Sequence, residues 1–310
     1  MKLVRPPALR SGDRVALLAP SSPVLHPDRL ARGVELLTSW GLEPVTMPHL
    51  HGQHGFLAGT DAQRLADLRG ALEDPFIHAI WCARGGYGVQ RLLDGLDYER
   101  LRSHPKLVVG FSDLTALLAA LGRRAGLVTI HGPMGEWDDA RTGAEQAAWL
   151  RRLLTEPRPL GRVPSPPCDV LVDGVAEGVL YGGNLSLLSA SVGTTDQPDL
   201  RGAIVLIEEV GERPYRVDRM LRHLLRADVF EGLAGCVFGA FVGCEERRAQ
   251  RSSQTVEEVV TVFAHELGVP TIAGAPLGHG PGQLALPLGV RAQLDARRGF
   301  LDLLEPATIR

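Results

Sequence analysis

Three side chains of this sequence are of the types that nucleophilic catalysis needs: a serine on a turn, an acid after an apolar run and a histidine among glycines. Ser112 follows Leu107-Val108-Val109-Gly110-Phe111, and Leu114, Leu117, Leu118 and Leu121 then recur at the spacing of one helix face. The pattern predicts a buried strand, a sharp turn and a helix, with Ser112 on the turn. Free N–H groups and the positive end of a helix dipole favour negative charge at such a point. This is the logic of a nucleophile elbow, although Leu114 stands where Gly-x-Ser-x-Gly has its second glycine. The competing reading is a serine that only caps the helix.

The acids Glu208, Glu209 and Glu212 come directly after the apolar run Ala203 to Ile207. A carboxylate at a buried strand end needs a partner, whereas one on a surface turn needs none. His279 lies in Gly278-His279-Gly280-Pro281, where it is either an exposed general base or a solvated loop residue. Serine, acid and histidine in this chain order supply a nucleophile, an orienter and a base. The loop Gly85-Gly86-Tyr87-Gly88 lacks the dinucleotide-binding spacing and the Lys-Ser/Thr of a phosphate loop. Its glycines either aim backbone N–H groups at a developing oxyanion or make a plain tight turn. His49, His51 and His54 share a Gly-rich loop with no carboxylate among them, which argues for a solvated loop over a metal site.

The elements that must position these residues follow from periodicity. Strands are predicted at Arg14 to Pro20, Glu43 to Met47, Ile77 to Cys82 and Leu127 to Ile130, besides the run before Ser112. Helices are predicted from Pro27, from Thr60-Asp61, after the glycine loop with Leu92 and Leu93, and over Glu145 to Leu154. Such alternation implies a parallel sheet with helices on both faces, and ligands bind at the C-terminal strand ends of such sheets. The glycine loop and Ser112 should therefore share one rim. Pro157, Pro159, Pro164, Pro166 and Pro167 mark a linker over residues 156–167, dividing a first domain, 1–155, from a second, 168–310. In the second, strand-like runs lie at Val170 to Val172, Val179 to Tyr181, Ala203 to Ile207, Cys236 to Val242 and Val290 to Leu294. One helix carries Met220, Leu221, Leu224 and Leu225, and another opens at the capping box Thr255 and Glu258.

The chain has 310 residues, 45% of them hydrophobic and 22% charged, with a formal charge of −3. That is the composition of an ordinary globular protein without a basic field for nucleic acid. No apolar run is long enough to span a membrane, and residues 1–7 hold no signal core, so a cytoplasmic protein is expected. Cys82, Cys168, Cys236 and Cys244 form no Cys-x-x-Cys and read as reduced, mostly buried thiols.

The stretches Gly59-Thr60-Asp61, Ala83 to Gly88, Gly110-Phe111-Ser112-Asp113, His131-Gly132-Pro133, Gly182-Gly183-Asn184-Leu185, Leu206 to Glu212 and Gly278-His279-Gly280 span most of the chain. Taken together and in this order, they resemble the LD-carboxypeptidases. These are serine peptidases that include the murein tetrapeptide carboxypeptidases and the microcin C immunity peptidases. The resemblance implies an α/β fold with an N-terminal Rossmann-like parallel-sheet domain and a C-terminal mixed α/β domain with a small β-barrel-like core. It implies Ser112 as nucleophile, His279 as base and Glu208, rather than Glu209 or Glu212, as orienter. It also implies an oxyanion hole from the N–H groups of Gly86 and Asp113, and its matched stretches make Gly85 and Asn184 candidate substrate contacts. The implied reaction releases terminal D-Ala from murein tetrapeptide, in a homodimer that needs no metal or cofactor and binds no nucleic acid or membrane. The alternatives are a microcin-type acyl-nucleotide peptidase, an esterase of the α/β-hydrolase type with the same residue order, and a non-catalytic peptide or sugar binder.

Overall fold

The computed structural model describes residues 3–246 and 254–310. The alternation of apolar runs and amphipathic segments in the first half folds as strand–helix units. These are β1 (Arg14–Leu18), α1 (Pro27–Ser39), β2 (Glu43–Thr46), α2 (Asp61–Glu73), β3 (Ala79–Cys82), α3 (Tyr98–Ser103), β4 (Leu107–Gly110), α4 (Thr115–Ala120), β5 (Thr129–His131) and α5 (Ala144–Thr155). The five strands run parallel in the order β5-β4-β3-β1-β2. Every residue of β3 and β4 is buried, as a sheet covered on both faces requires. Successive side chains go to opposite faces. Leu17, Trp81 and Val109 join the apolar cluster on one side, and Leu18, Ile80 and Val108 the cluster on the other.

Local signals start the helices. Pro27 takes the first position of α1, and Thr60 caps α2 by accepting from Gln63 N while Gln63 accepts from Thr60 N. Two helical expectations are modified. The segment after the glycine loop, Val89–Gly95, winds as a 3₁₀ helix rather than an α-helix. Gly88 enters it at φ +121° and Asp97 then caps a new helix, so the short span tightens to keep Leu92 and Leu93 in the core. The helix after Ser112 is a composite: a 3₁₀ turn over Ser112–Leu114, then α4, then a π-helical turn over Leu121–Ala125 that closes at Gly126 with φ +68°.

The rest of the chain forms β6 (Gly161–Arg162), β7 (Asp169–Val172), β8 (Val175–Asn184), α6 (Leu185–Ala190), β9 (Ala203–Val210), α7 (Pro214–Arg226), β10 (Gly235–Val242), α8 (Val256–Leu267), β11 (Thr271–Ala273), β12 (Leu286–Leu288), β13 (Arg291–Asp295) and β14 (Phe300–Leu303). Eight of these strands make a second, mixed sheet in the order β6-β14-β13-β8-β9-β10-β11-β7. Its centre, β8 to β11, is parallel, and antiparallel strands flank it. Thr255 caps α8 with Glu258 in the reciprocal arrangement. Cys82, Cys236 and Cys244 are buried, Cys168 is half-buried, and all four are free thiols. Among the described residues no helix is long and apolar enough to cross a membrane.

The proline-rich stretch is not a clean border between the sheets. Strand β12, from far beyond it, pairs antiparallel with β5 and forms an edge of the first sheet. An edge is where a sheet tolerates Pro287. Trp149 of α5 donates its indole N–H to the Ala285 carbonyl at 2.8 Å and anchors the returning chain. A fragment of residues 1–155 therefore leaves the β5 edge open and apolar surface uncovered. Such a fragment should aggregate, or melt at a markedly lower temperature than the full chain, in thermal unfolding followed by circular dichroism.

Candidate active site

Ser112 and Asp228 are the non-glycine residues at positive φ among those described, and Ser112 lies at φ +62°. A side chain held in this sparsely populated region marks a strained turn. Here the strain lifts Ser112 off the C-terminal end of β4, half-exposed, at the start of the helical segment. Steric relief comes from glycines outside the turn. A Cβ on Gly110 would stand 2.9 Å from Leu114 Cβ, and one on Gly85 would stand 2.9 Å from Ser112 Cβ. Leu114 thus fits where the usual motif has glycine because Gly110 makes the room.

The chain brings the candidate base to the serine from the second sheet. His279 Nε2 lies 3.2 Å from Ser112 Oγ, and His279 Nδ1 lies 2.6 Å from Glu208 Oε2. Glu208 lies near the C-terminal end of β9 and is fully enclosed. Gly278, at φ +83°, is where the loop passes over that carboxylate; a Cβ there would sit 2.3 Å from Glu208 Oε2. The loop is tied on both flanks. Ala240 N of β10 donates to the Leu277 carbonyl at 3.0 Å, and the strand that follows the loop is β12 of the first sheet.

The rival acids are committed elsewhere. Glu209 accepts from Asn184 Nδ2, Ser186 N, Ser186 Oγ and Val210 N, and burial pushes its carboxyl above the usual range. Glu212 pairs with Arg216 at 3.1 Å. Asn184 itself is 3% exposed, accepts from Leu187 N as the cap of α6 and donates to Glu209. Its side chain joins the start of α6 to Glu209. Gly85 is buried under Ser112 and works by steric fit, giving the serine room. Gly86 is exposed on the rim beside it. No hydrogen bond among the described residues takes the N–H of Gly86 or of Asp113. The Asp113 carboxylate accepts from Ser21 Oγ at 2.6 Å and Val89 N at 2.9 Å, so it pins the glycine loop to the elbow. His49, set in the histidine-rich loop, bonds Asp67 of α2 at 2.8 Å, a carboxylate distant in sequence.

The aromatic floor of the site escaped the sequence reading. The Phe111 ring lies 4.8 Å from the His279 ring and 6.0 Å from the His131 ring, centre to centre. His131 is fully buried, neither ring nitrogen has a protein partner among the described residues, and burial pulls its pKa down to about 4. It is therefore a neutral packing group near neutral pH. In the sequence, His131 stands out only as part of the matched stretch His131-Gly132-Pro133.

Replacing Gly278 with Ala should lower hydrolytic turnover at least about 100-fold, since displacing a positioned group by about 1 Å has that effect. Steady-state kinetics beside a thermal melt would separate this loss from unfolding. His131 has a sign-definite effect on stability. Its folded pKa, about 4, lies below the ordinary 6.5, so the unfolded chain binds more protons in between. Stability should then fall as pH drops through that window, by about 3 kcal/mol in all. Chemical denaturation at pH 4.5 and 7 should show a shallower decline in His131→Gln.

Comparison with known proteins adds the family. The LD-carboxypeptidase N-terminal domain model matches residues 15–132, and the LD-carboxypeptidase C-terminal domain model matches residues 177–294. The murein tetrapeptide carboxypeptidase of Pseudomonas aeruginosa is 35% identical, over 92% of this chain and 94% of its own. Among solved structures, a muramoyltetrapeptide carboxypeptidase from Oxalobacter formigenes superposes with a TM-score of 0.82 and 29% identity, over 96% of this chain and all of its own. The microcin immunity protein MccF, in complex with glutamyl sulfamoyl guanosine, superposes with a TM-score of 0.88 over 98% of this chain and 99% of its own. At 24% identity it is a likeness of fold alone. With both domain models matched in order and a relative aligned almost end to end, the chain belongs to the LD-carboxypeptidase family of serine peptidases.

Proposed function

We propose that this protein hydrolyses the amide bond between an L-centre and a terminal D-alanine of murein tetrapeptide, with Ser112, His279 and Glu208 as its triad. The observation that carries the reading is the continuous relay from Ser112 Oγ through the imidazole to a buried carboxylate, at 3.2 and 2.6 Å. His279 Nε2 takes the serine proton as Oγ adds to the scissile carbonyl. Glu208 holds the other ring nitrogen, which fixes the tautomer and stabilises the imidazolium that forms. The oxyanion would fall between the Gly86 and Asp113 N–H groups, neither of which is taken by a hydrogen bond among the described residues. His279 then protonates the leaving amine, D-alanine departs, and water activated by the same imidazole releases the acyl group.

The murein substrate is supported by the Pseudomonas relative, whose name carries that activity. Incubation with murein tetrapeptide should yield free alanine and a tripeptide, read by mass spectrometry. Ser112→Ala should lower turnover by more than a thousandfold with the melting curve little changed. Retention of activity within about threefold of wild type would overturn the triad. Cleavage of an aminoacyl nucleotide with the tetrapeptide left intact would overturn the substrate.

A further inference from the structure

A peptidase that removes one terminal residue must recognise the free carboxylate at the end of its substrate, and a cation not already neutralised is a strong partner for it. Arginines stand on the glycine loop, on α1 and on the loop after β5, and most of them are occupied. Arg84, on the glycine loop, donates to the Pro23 carbonyl at 3.1 Å and faces Glu136 at 4.0 Å. Arg29 and Arg32 of α1 pair with Asp138 and Asp139 at 3.0 and 2.9 Å. Those two aspartates belong to the loop that carries Arg141, and both turn outward to α1.

Arg141 is left half-buried without a hydrogen bond or ion pair from its guanidinium among the described residues, and its Nε is enclosed with no partner. Its Cζ stands 5.3 Å from the centre of the Phe111 ring, the ring that also packs against His279. Its carbonyl accepts from Gly282 N, three residues past the histidine, so the loop that places the base places this cation too. Burial lowers its pKa from the usual arginine value, with Asp138 and Glu208 opposing. An arginine remains charged under such a shift, and a half-buried charge without a partner is costly.

We infer that Arg141 is the anchor for the terminal carboxylate of the substrate, holding the departing residue on the His279 side of the scissile bond. The inference rests on the carboxypeptidase reading above. It agrees with the chemistry of the step. The imidazole must face the departing nitrogen, and the carboxylate carbon of that residue lies only about 2.5 Å from it. A guanidinium on the same aromatic floor presents a planar fork that matches a carboxylate.

The test compares murein tetrapeptide ending in D-alanine with the same peptide ending in D-alaninamide, in wild type, Arg141→Met and Arg141→Lys. Methionine keeps the stem packed on Phe111 and removes the charge. Wild type should prefer the free acid, and Arg141→Met should lower the acid-to-amide ratio of kcat/KM on the order of 100-fold, mainly through KM. Arg141→Lys should fall between. An unchanged ratio, or equal losses on both peptides, would overturn the inference, because a structural role or a role as counter-charge to Glu208 affects both alike. Should wild type cleave neither peptide, the carboxypeptidase reading fails by itself. Calorimetric binding of the two peptides to Ser112→Ala, with and without Arg141→Met, then decides the anchor. Acid-selective binding that disappears with the arginine supports it, and no selectivity in Ser112→Ala refutes it.

Discussion

A carboxylate with no solvent exposure is the constraint from which the rest of the site follows. Glu208 has one protein partner among the described residues, His279, at 2.6 Å from Oε2, while Oε1 has none. Breaking such a pair leaves an uncompensated buried charge, which is strongly destabilising. The imidazole is therefore held by more than its own loop. The same hydrogen bond fixes which ring nitrogen faces the serine. Tight passage of Gly278 over the carboxylate and the bond from Ala240 to Leu277 keep the histidine at that distance. Stability of the second sheet and alignment of the base are thus one requirement.

The serine side meets that requirement by close backbone approach. A Cβ on Gly183, at φ +143°, would stand 2.5 Å from Thr115 Oγ1, and Thr115 Oγ1 accepts from Asn184 N at 3.0 Å. The end of β8 therefore presses directly on the first turn of α4, three residues past Ser112. Asp113 reaches the other way, to Ser21 and Val89. Through these two joints the elbow is set against both the second sheet and the glycine loop. Little freedom remains for the two sheets to rock relative to each other at the site.

Much of this was legible in the sequence. Apolar runs gave the strands because parallel strands buried on both faces read as unbroken hydrophobic stretches. The turn at Ser112 was visible from Gly110 and the leucine spacing behind it. Choosing Glu208 over Glu209 needed the family likeness, since both follow the same run and only the fold turns one toward the histidine and the other toward Ser186. Strand β12 was missed because three residues with a central proline carry no periodicity. Asn184 entered only through the family likeness; that it caps a helix and bonds Glu209 depends on where the fold puts the end of β8. Arg141 gave no signal and His131 only its place in a matched stretch, since being unpaired or buried is a property of the assembled site.

The return of β12 to the first sheet has a consequence for synthesis. A chain made from its N-terminus usually folds domain by domain as it emerges. Here β1 to β5 can associate early, but their last edge waits for residues 286–288. The histidine loop lies just before that strand, so the event that seals the first sheet also delivers the base to the serine. A nascent chain holds Ser112 and a half-finished sheet but no assembled relay. Hydrolytic competence and completion of the fold arrive together, once residues 286–288 have emerged. Contacts so distant in sequence also favour slow folding, with the open edge exposed meanwhile. Help from a chaperone would be most valuable in that interval.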